Sequence, residues 1–61
     1  MKRRKLIAHL KEHGCKLVRE GGKHSFWGNP QTGKHTAVPR HTEIDEHLAR
    51  KICKDLEIPS P

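Results

Sequence analysis

The sequence predicts a small α+β domain of order αβββα, a three-stranded antiparallel sheet with two helices on one face. Three observations predict it. Apolar residues recur at helical spacing near both ends, at Leu6, Ile7 and Leu10 and again at Ile44, Leu48, Ile52 and Leu56. Between them, two turn signals, Gly21-Gly22 and Asn29-Pro30-Gln31-Thr32-Gly33, separate three short strand-like stretches. With 61 residues the chain can build one core, so residues 1–61 form a single domain. Covering one sheet face with both helices is the simplest way to bury both apolar stripes, and it leaves the other face open.

The first helix is expected from residue 2 to about 13. Gly14 follows it as the residue that takes a left-handed conformation and stops it. Lys2, Arg3, Arg4 and Lys5 crowd its first turn, where cations oppose the helix dipole, so their presence favours a binding role. Residues 15–20 read as the first strand. Gly21-Gly22 is expected to reverse the chain through positive φ, which glycine adopts without steric cost. Residues 23–28 read as the second strand and residues 34–38 as the third, with Pro39 ending it. Thr42 is expected to cap the second helix, with Asp45 three residues on, and the helix to run over residues 43 to about 56. Glu43, Asp45 and Glu46 near its start and Lys51 and Lys54 near its end suit the helix dipole, so these charges read as structural.

Which side chains occupy the open face depends on the register of the second and third strands. A symmetric five-residue loop puts His24, Phe26, Thr36 and Val38 on one face. A one-residue bulge at Gly33 instead turns Ser25, Trp27, Thr36 and Val38 toward the helices and His24, Phe26, His35 and Ala37 outward. The bulge is favoured because it buries the largest aromatic residue with Val38.

Charge is unevenly placed. The net charge is +6, and residues 1–23 hold eight basic residues against two acidic ones, while the remainder holds five of each. All of the excess therefore precedes His24. A basic end of this kind favours a polyanion, of which nucleic acid is the commonest in cells, although a solvated surface has the same composition. Cys15 and Cys53 form no ligand cluster and read as small, reduced, half-buried residues of a cytoplasmic protein. No apolar run is long enough for a membrane span or a signal peptide. Six histidines raise the question of a metal, but His9 and His13 have no third ligand at useful spacing, so neither a metal site nor a cofactor is expected.

His24 is the candidate catalytic residue. It stands directly after the glycine turn, at the head of a strand, where a side chain is held rigidly yet lies near the sheet's rim. Histidine has an ordinary pKa of about 6.5 and so can give or take a proton near neutrality. A surface or packing role is the plainer alternative for any single histidine.

The chain resembles the HicA (YcfA-like) family of bacterial toxins, which are messenger-RNA-cleaving partners of HicB antitoxins. The resemblance runs from the basic first helix through Gly14, Leu17-Val18-Arg19 and Gly22-Lys23-His24 to Asn29-Pro30, Gly33 and Val38-Pro39-Arg40-His41. It implies a compact relative of the double-stranded-RNA-binding domain, with αβββα order, and it places the family's single catalytic histidine at His24. Lys23 departs from the family's usual serine, and Gly28 stands where a basic residue is common. What the resemblance implies is cleavage of mRNA without a metal, by a cytoplasmic endoribonuclease toxin neutralised by a HicB-type antitoxin. In that chemistry one group removes the ribose 2′-OH proton and another protonates the departing 5′ oxygen. His35 and His41 are the candidate partners of His24, and Lys23 or Arg40 the candidates for stabilising the phosphorane charge. RNA contacts are expected from Lys23, Phe26, His35, Arg40 and His41, and from Arg3, Arg4 and Lys5. The alternative is a non-catalytic RNA-binding module of the same fold, weakened by loops too short for the reach of a double-stranded-RNA-binding domain.

Overall fold

A computed structural model describes residues 1–61. Its elements are α1 (Arg3–Glu12), β1 (Lys16–Glu20), β2 (His24–Asn29), β3 (Lys34–Pro39) and α2 (Glu46–Asp55). The order is the predicted αβββα, and the antiparallel sheet runs β1-β2-β3. No helix is long and apolar enough to cross a membrane.

The core is drawn from both helices and the inner sheet face. Leu6 and Leu10 of α1 meet Trp27 and Val38 of the sheet, and Ala49, Ile52 and Cys53 of α2, with Ile44 and Leu56 flanking that helix. Ten hydrophobic residues are buried in this cluster, and each of its leucines would cost roughly 2–5 kcal/mol if cut back to alanine. Cys15 and Cys53 are free thiols and are more deeply buried than expected, at 3% and 0% exposure. Burial pushes both thiols up from the ordinary cysteine value.

α1 ends as predicted. Gly14 takes φ +83, Cys15 N–H donates to Leu10 O at 2.9 Å, and Gly14 N–H donates to Lys11 O at 3.0 Å. These two hydrogen bonds satisfy carbonyls that the last turn leaves without partners. α2 ends in the same way, with Ile58 N–H on Cys53 O and Glu57 N–H on Lys54 O, both at 3.0 Å. Here the left-handed residue is Glu57, at φ 57.

The start of α2 differs from the expectation. Thr42 is not its cap, and residues 43–45 are not helical. Asp45 caps the helix, its Oδ2 accepting from His47 N–H at 3.0 Å and from Leu48 N–H at 3.4 Å. Residues 42–44 pair instead with the start of the chain. Arg3 N–H donates to Thr42 O at 2.8 Å, Ile44 N–H donates to Met1 O at 2.7 Å, and Lys2 bridges Glu43. That pairing also completes α1, whose N-cap residue Lys2 offers no side-chain acceptor. The backbone of 42–44 cannot serve a helix and a bridge at once, and the bridge prevails.

The faces of β2 and β3 are those predicted, for a different reason. Ser25 pairs with Val38, Trp27 with Thr36 and Gly28 with His35, with no bulge in the ladder. The parity comes from a four-residue connection, residues 30–33, closed by Gly33 at φ +74. The bulge lies elsewhere, at Val18, between the pairs Leu17–Trp27 and Arg19–Phe26. It breaks the edge strand β1, all five residues of which are exposed, including Leu17 and Val18. Such a break discourages unwanted edge pairing. Asn29 is buried and ties the β2–β3 turn to α2. Its Nδ2 donates to Leu56 O at 2.7 Å, and its Oδ1 accepts from Gln31 N–H at 3.0 Å.

Two outcomes follow for stability. Replacing Glu57 by glycine relieves a left-handed side chain and should raise stability by about 0.5–1 kcal/mol, read as a rise of roughly 3–6 °C in Tm. The Lys2 ammonium, 2.6 Å from Glu43, holds that carboxyl below the ordinary glutamate value of 4.5. A depressed carboxyl contributes stability above its unfolded pKa and loses it as pH falls. The Tm difference between wild type and Glu43→Gln should therefore be present at neutral pH and close as pH drops below about 4.5.

Candidate active site

His24 is the first residue of β2 and is exposed. The turn before it does not use positive φ, which only Gly14 and Gly33 adopt among the glycines. The expected left-handed Gly-Gly reversal is thus replaced by a close approach. A Cβ on Gly21 would stand 2.9 Å from His24 O and 2.9 Å from Phe26 Cε2, whereas one on Gly22 would meet nothing within 4 Å. Gly21 N–H donates to His24 O at 2.8 Å and closes the hairpin.

A connected set of polar side chains surrounds this turn. Arg40 Nη2 donates to Gly21 O at 2.9 Å and lies 3.0 Å from Glu20 Oε1, while Arg40 N–H donates to Lys23 O at 3.3 Å. Glu20 Oε1 also accepts from Ser25 Oγ at 2.6 Å. Ser25 Oγ accepts from Arg3 Nη2 at 3.0 Å, and Arg3 Nε donates to Pro39 O at 2.8 Å. The residues on both sides of His24 are therefore fixed from α1, from the end of β1 and from the segment after β3. The Arg40–Glu20 pair is about half exposed, so its energy is small and its effect is to orient.

His24 shares an open cleft of about 540 Å³ with Gly22, Lys23, Arg40 and His41. A second cleft of about 430 Å³, lined by Lys2, Arg3, Arg4, Arg40 and Thr42, adjoins it at Arg40. Neither has an apolar residue in its wall. His35 lies apart from both. Its ring packs where a Cβ on Gly28 would sit, 2.8 Å from Cδ2, and it lines a smaller cleft with Lys16 and Val18. Of the two candidate partners, His41 is the one that lines the same cleft as His24. Gly28, where the family commonly has a basic residue, is the floor under His35 and Val18, 2.8 and 3.0 Å from the Cβ position.

The remaining candidates divide. Phe26 is half-buried on the outer face, with the Arg19 guanidinium 4.3 Å from its ring centroid, a cation–π contact. Arg4 and Lys5 are exposed. Arg3 is only half-exposed, and its Nε and Nη2 donate to Pro39 O and Ser25 Oγ. Arg40 lines the cleft but also holds the turn. Sequence reasoning missed Glu20 and Ser25, which carry no motif and join the polar set around His24 only through the register that sets them side by side.

A family model described as "HicA toxin of bacterial toxin-antitoxin" matches residues 3–58, nearly the whole chain. No curated protein and no solved structure matches.

The two glycines of the turn should respond differently to substitution. Gly22→Ala should stay within about 0.5 kcal/mol of wild type in chemical denaturation, as open surface positions do. Gly21→Ala should cost about 1–3 kcal/mol, because backbone and the Phe26 ring must move to admit the methyl group.

Proposed function

Because the chain belongs to the HicA toxin family and is thus the toxin of a toxin–antitoxin system with an antitoxin partner, we propose that it acts as a metal-independent endoribonuclease on mRNA, with His24 as the catalytic residue. The observation that carries this reading is the single cleft shared by His24, His41 and the cations Lys23 and Arg40. In the reaction, one imidazole takes the proton of a ribose 2′-OH, whose oxygen attacks the adjacent phosphorus. The bond from phosphorus to the 5′ oxygen breaks, and the second imidazole returns a proton to that oxygen. Two imidazoles in one cleft suit this division, since a single ring cannot act as base and acid at the same instant. Lys23, and the part of Arg40 that does not hold the turn, stabilise the extra charge on the phosphorane.

The surroundings support RNA as substrate. The exposed cations Arg4, Lys5 and Lys23 attract the backbone, and the whole excess charge of +6 precedes His24 in the sequence. Phe26 and His35 on the outer sheet face add surfaces on which bases stack. The same uncovered face, with Val18 and Ala37 beside them, suits a HicB-type antitoxin that closes the cleft.

The test is cleavage of mRNA by purified wild type and by His24→Ala in the presence of a chelator. The variant should lose about 10²–10⁴-fold in kcat while keeping its RNA affinity. Unchanged turnover in His24→Ala would remove His24 from the chemistry. Equal RNA binding with no cleavage by either protein would leave a binding module.

A further inference from the structure

We propose that the pocket lined by Lys2, Arg3, Arg4, Arg40 and Thr42 is a second phosphate subsite, which holds the phosphodiester next to the one that is cleaved. This rests on the ribonuclease reading of the His24 cleft and adds a requirement on substrate length.

Four features point to a phosphodiester. The pocket has four cations and one hydroxyl in its wall and no hydrophobic residue, so it offers charge-assisted donors. It adjoins the His24 cleft through Arg40, which belongs to both, so a strand leaving one enters the other. Its walls are held in advance. Lys2 is tied to Glu43 at 2.6 Å, Arg3 to Pro39 O and Ser25, and Arg40 to Glu20 and Gly21 O. Both of the Arg40 contacts use Nη2, which leaves Nη1 and Nε to face a ligand. Arg4 is exposed and has neither an ion pair nor a side-chain hydrogen bond, so its planar fork is free to take two phosphate oxygens.

The site is made of side chains and does not depend on the helix end. The N–H of Arg3, which leads α1, is already bound to Thr42 O at 2.8 Å. That bond brings Thr42 to the pocket and fixes the α1 cations against the segment carrying Arg40 and His41. A strand whose reacting phosphate lies between His24 and His41 thus has its neighbouring phosphate anchored by a wall that the catalytic turn itself helps to hold.

The experiment compares kcat/KM for a diribonucleotide, which has only the scissile phosphodiester, with two trinucleotides extended by one nucleotide on either side. Wild type should gain about tenfold on one of the two extensions, the worth of one charge-assisted contact. Arg4→Ala should lose most of that gain, while Lys54→Ala, on α2, should keep it. A gain of the same size in Arg4→Ala, or none in wild type, overturns the subsite and leaves the ribonuclease reading intact. If wild type cleaves no RNA at all, the ribonuclease reading fails. The subsite is then judged by the affinities of the same three oligonucleotides, where an extension gain that Arg4→Ala does not reduce overturns it.

Discussion

The pleat of β2 is the constraint on which the rest of the molecule depends. Successive residues of a strand face opposite ways, so placing Trp27 in the core fixes every other side chain of the strand. Ser25, Trp27 and Asn29 point inward and are all buried. Ser25 joins the polar set around the hairpin, Trp27 fills the space between the helices, and Asn29 ties the far turn to the end of α2. His24, Phe26 and Gly28 then have to face outward. A slip of one residue would bury His24 and expose the indole. One strand thus carries the core on one side and the candidate chemistry on the other.

The basic end has two physical roles that composition cannot separate. Part of its charge is used within the fold, since Lys2 pairs with Glu43 and Arg3 joins α1 to β2 and β3. The rest, at Arg4, Lys5, Lys11, Lys16, Arg19 and Lys23, remains exposed. Cations in the first turn of a helix oppose its dipole. Here that opposition is offset by the backbone bridge to residues 42–44 and by the bonds of the Arg3 guanidinium. Glu20 is the counterweight. It is one acid among many cations, and it orients two of the residues nearest His24.

Much of the fold was legible because it is written in local signals. Helical spacing at Leu6 and Leu10, the left-handed Gly14, and the Asn29–Gly33 turn each act within a few residues. His24 stands out as a candidate for the same reason, directly after a glycine turn. What escaped depends on partners distant in sequence. Thr42 looks like a cap until the start of the chain takes its carbonyl. Gly21-Gly22 looks like a left-handed turn, yet Gly21 is demanded by the Phe26 ring and the His24 carbonyl. The bulge at Val18 has no glycine to announce it. The outward turn of His24 and Phe26 was foreseen through a bulge at Gly33, although a four-residue connection is what sets it.

Trp27 and Phe26 are adjacent, yet they report on different sides of the sheet. The chain has no tyrosine, so its near-ultraviolet emission comes from a single indole. That indole is 5% exposed and faces the helices. Ligands arriving on the outer face leave its surroundings dry, whereas unfolding brings water to it. Intrinsic fluorescence therefore follows the integrity of this domain almost independently of what is bound to it, which makes occupancy and folding optically separable without a label.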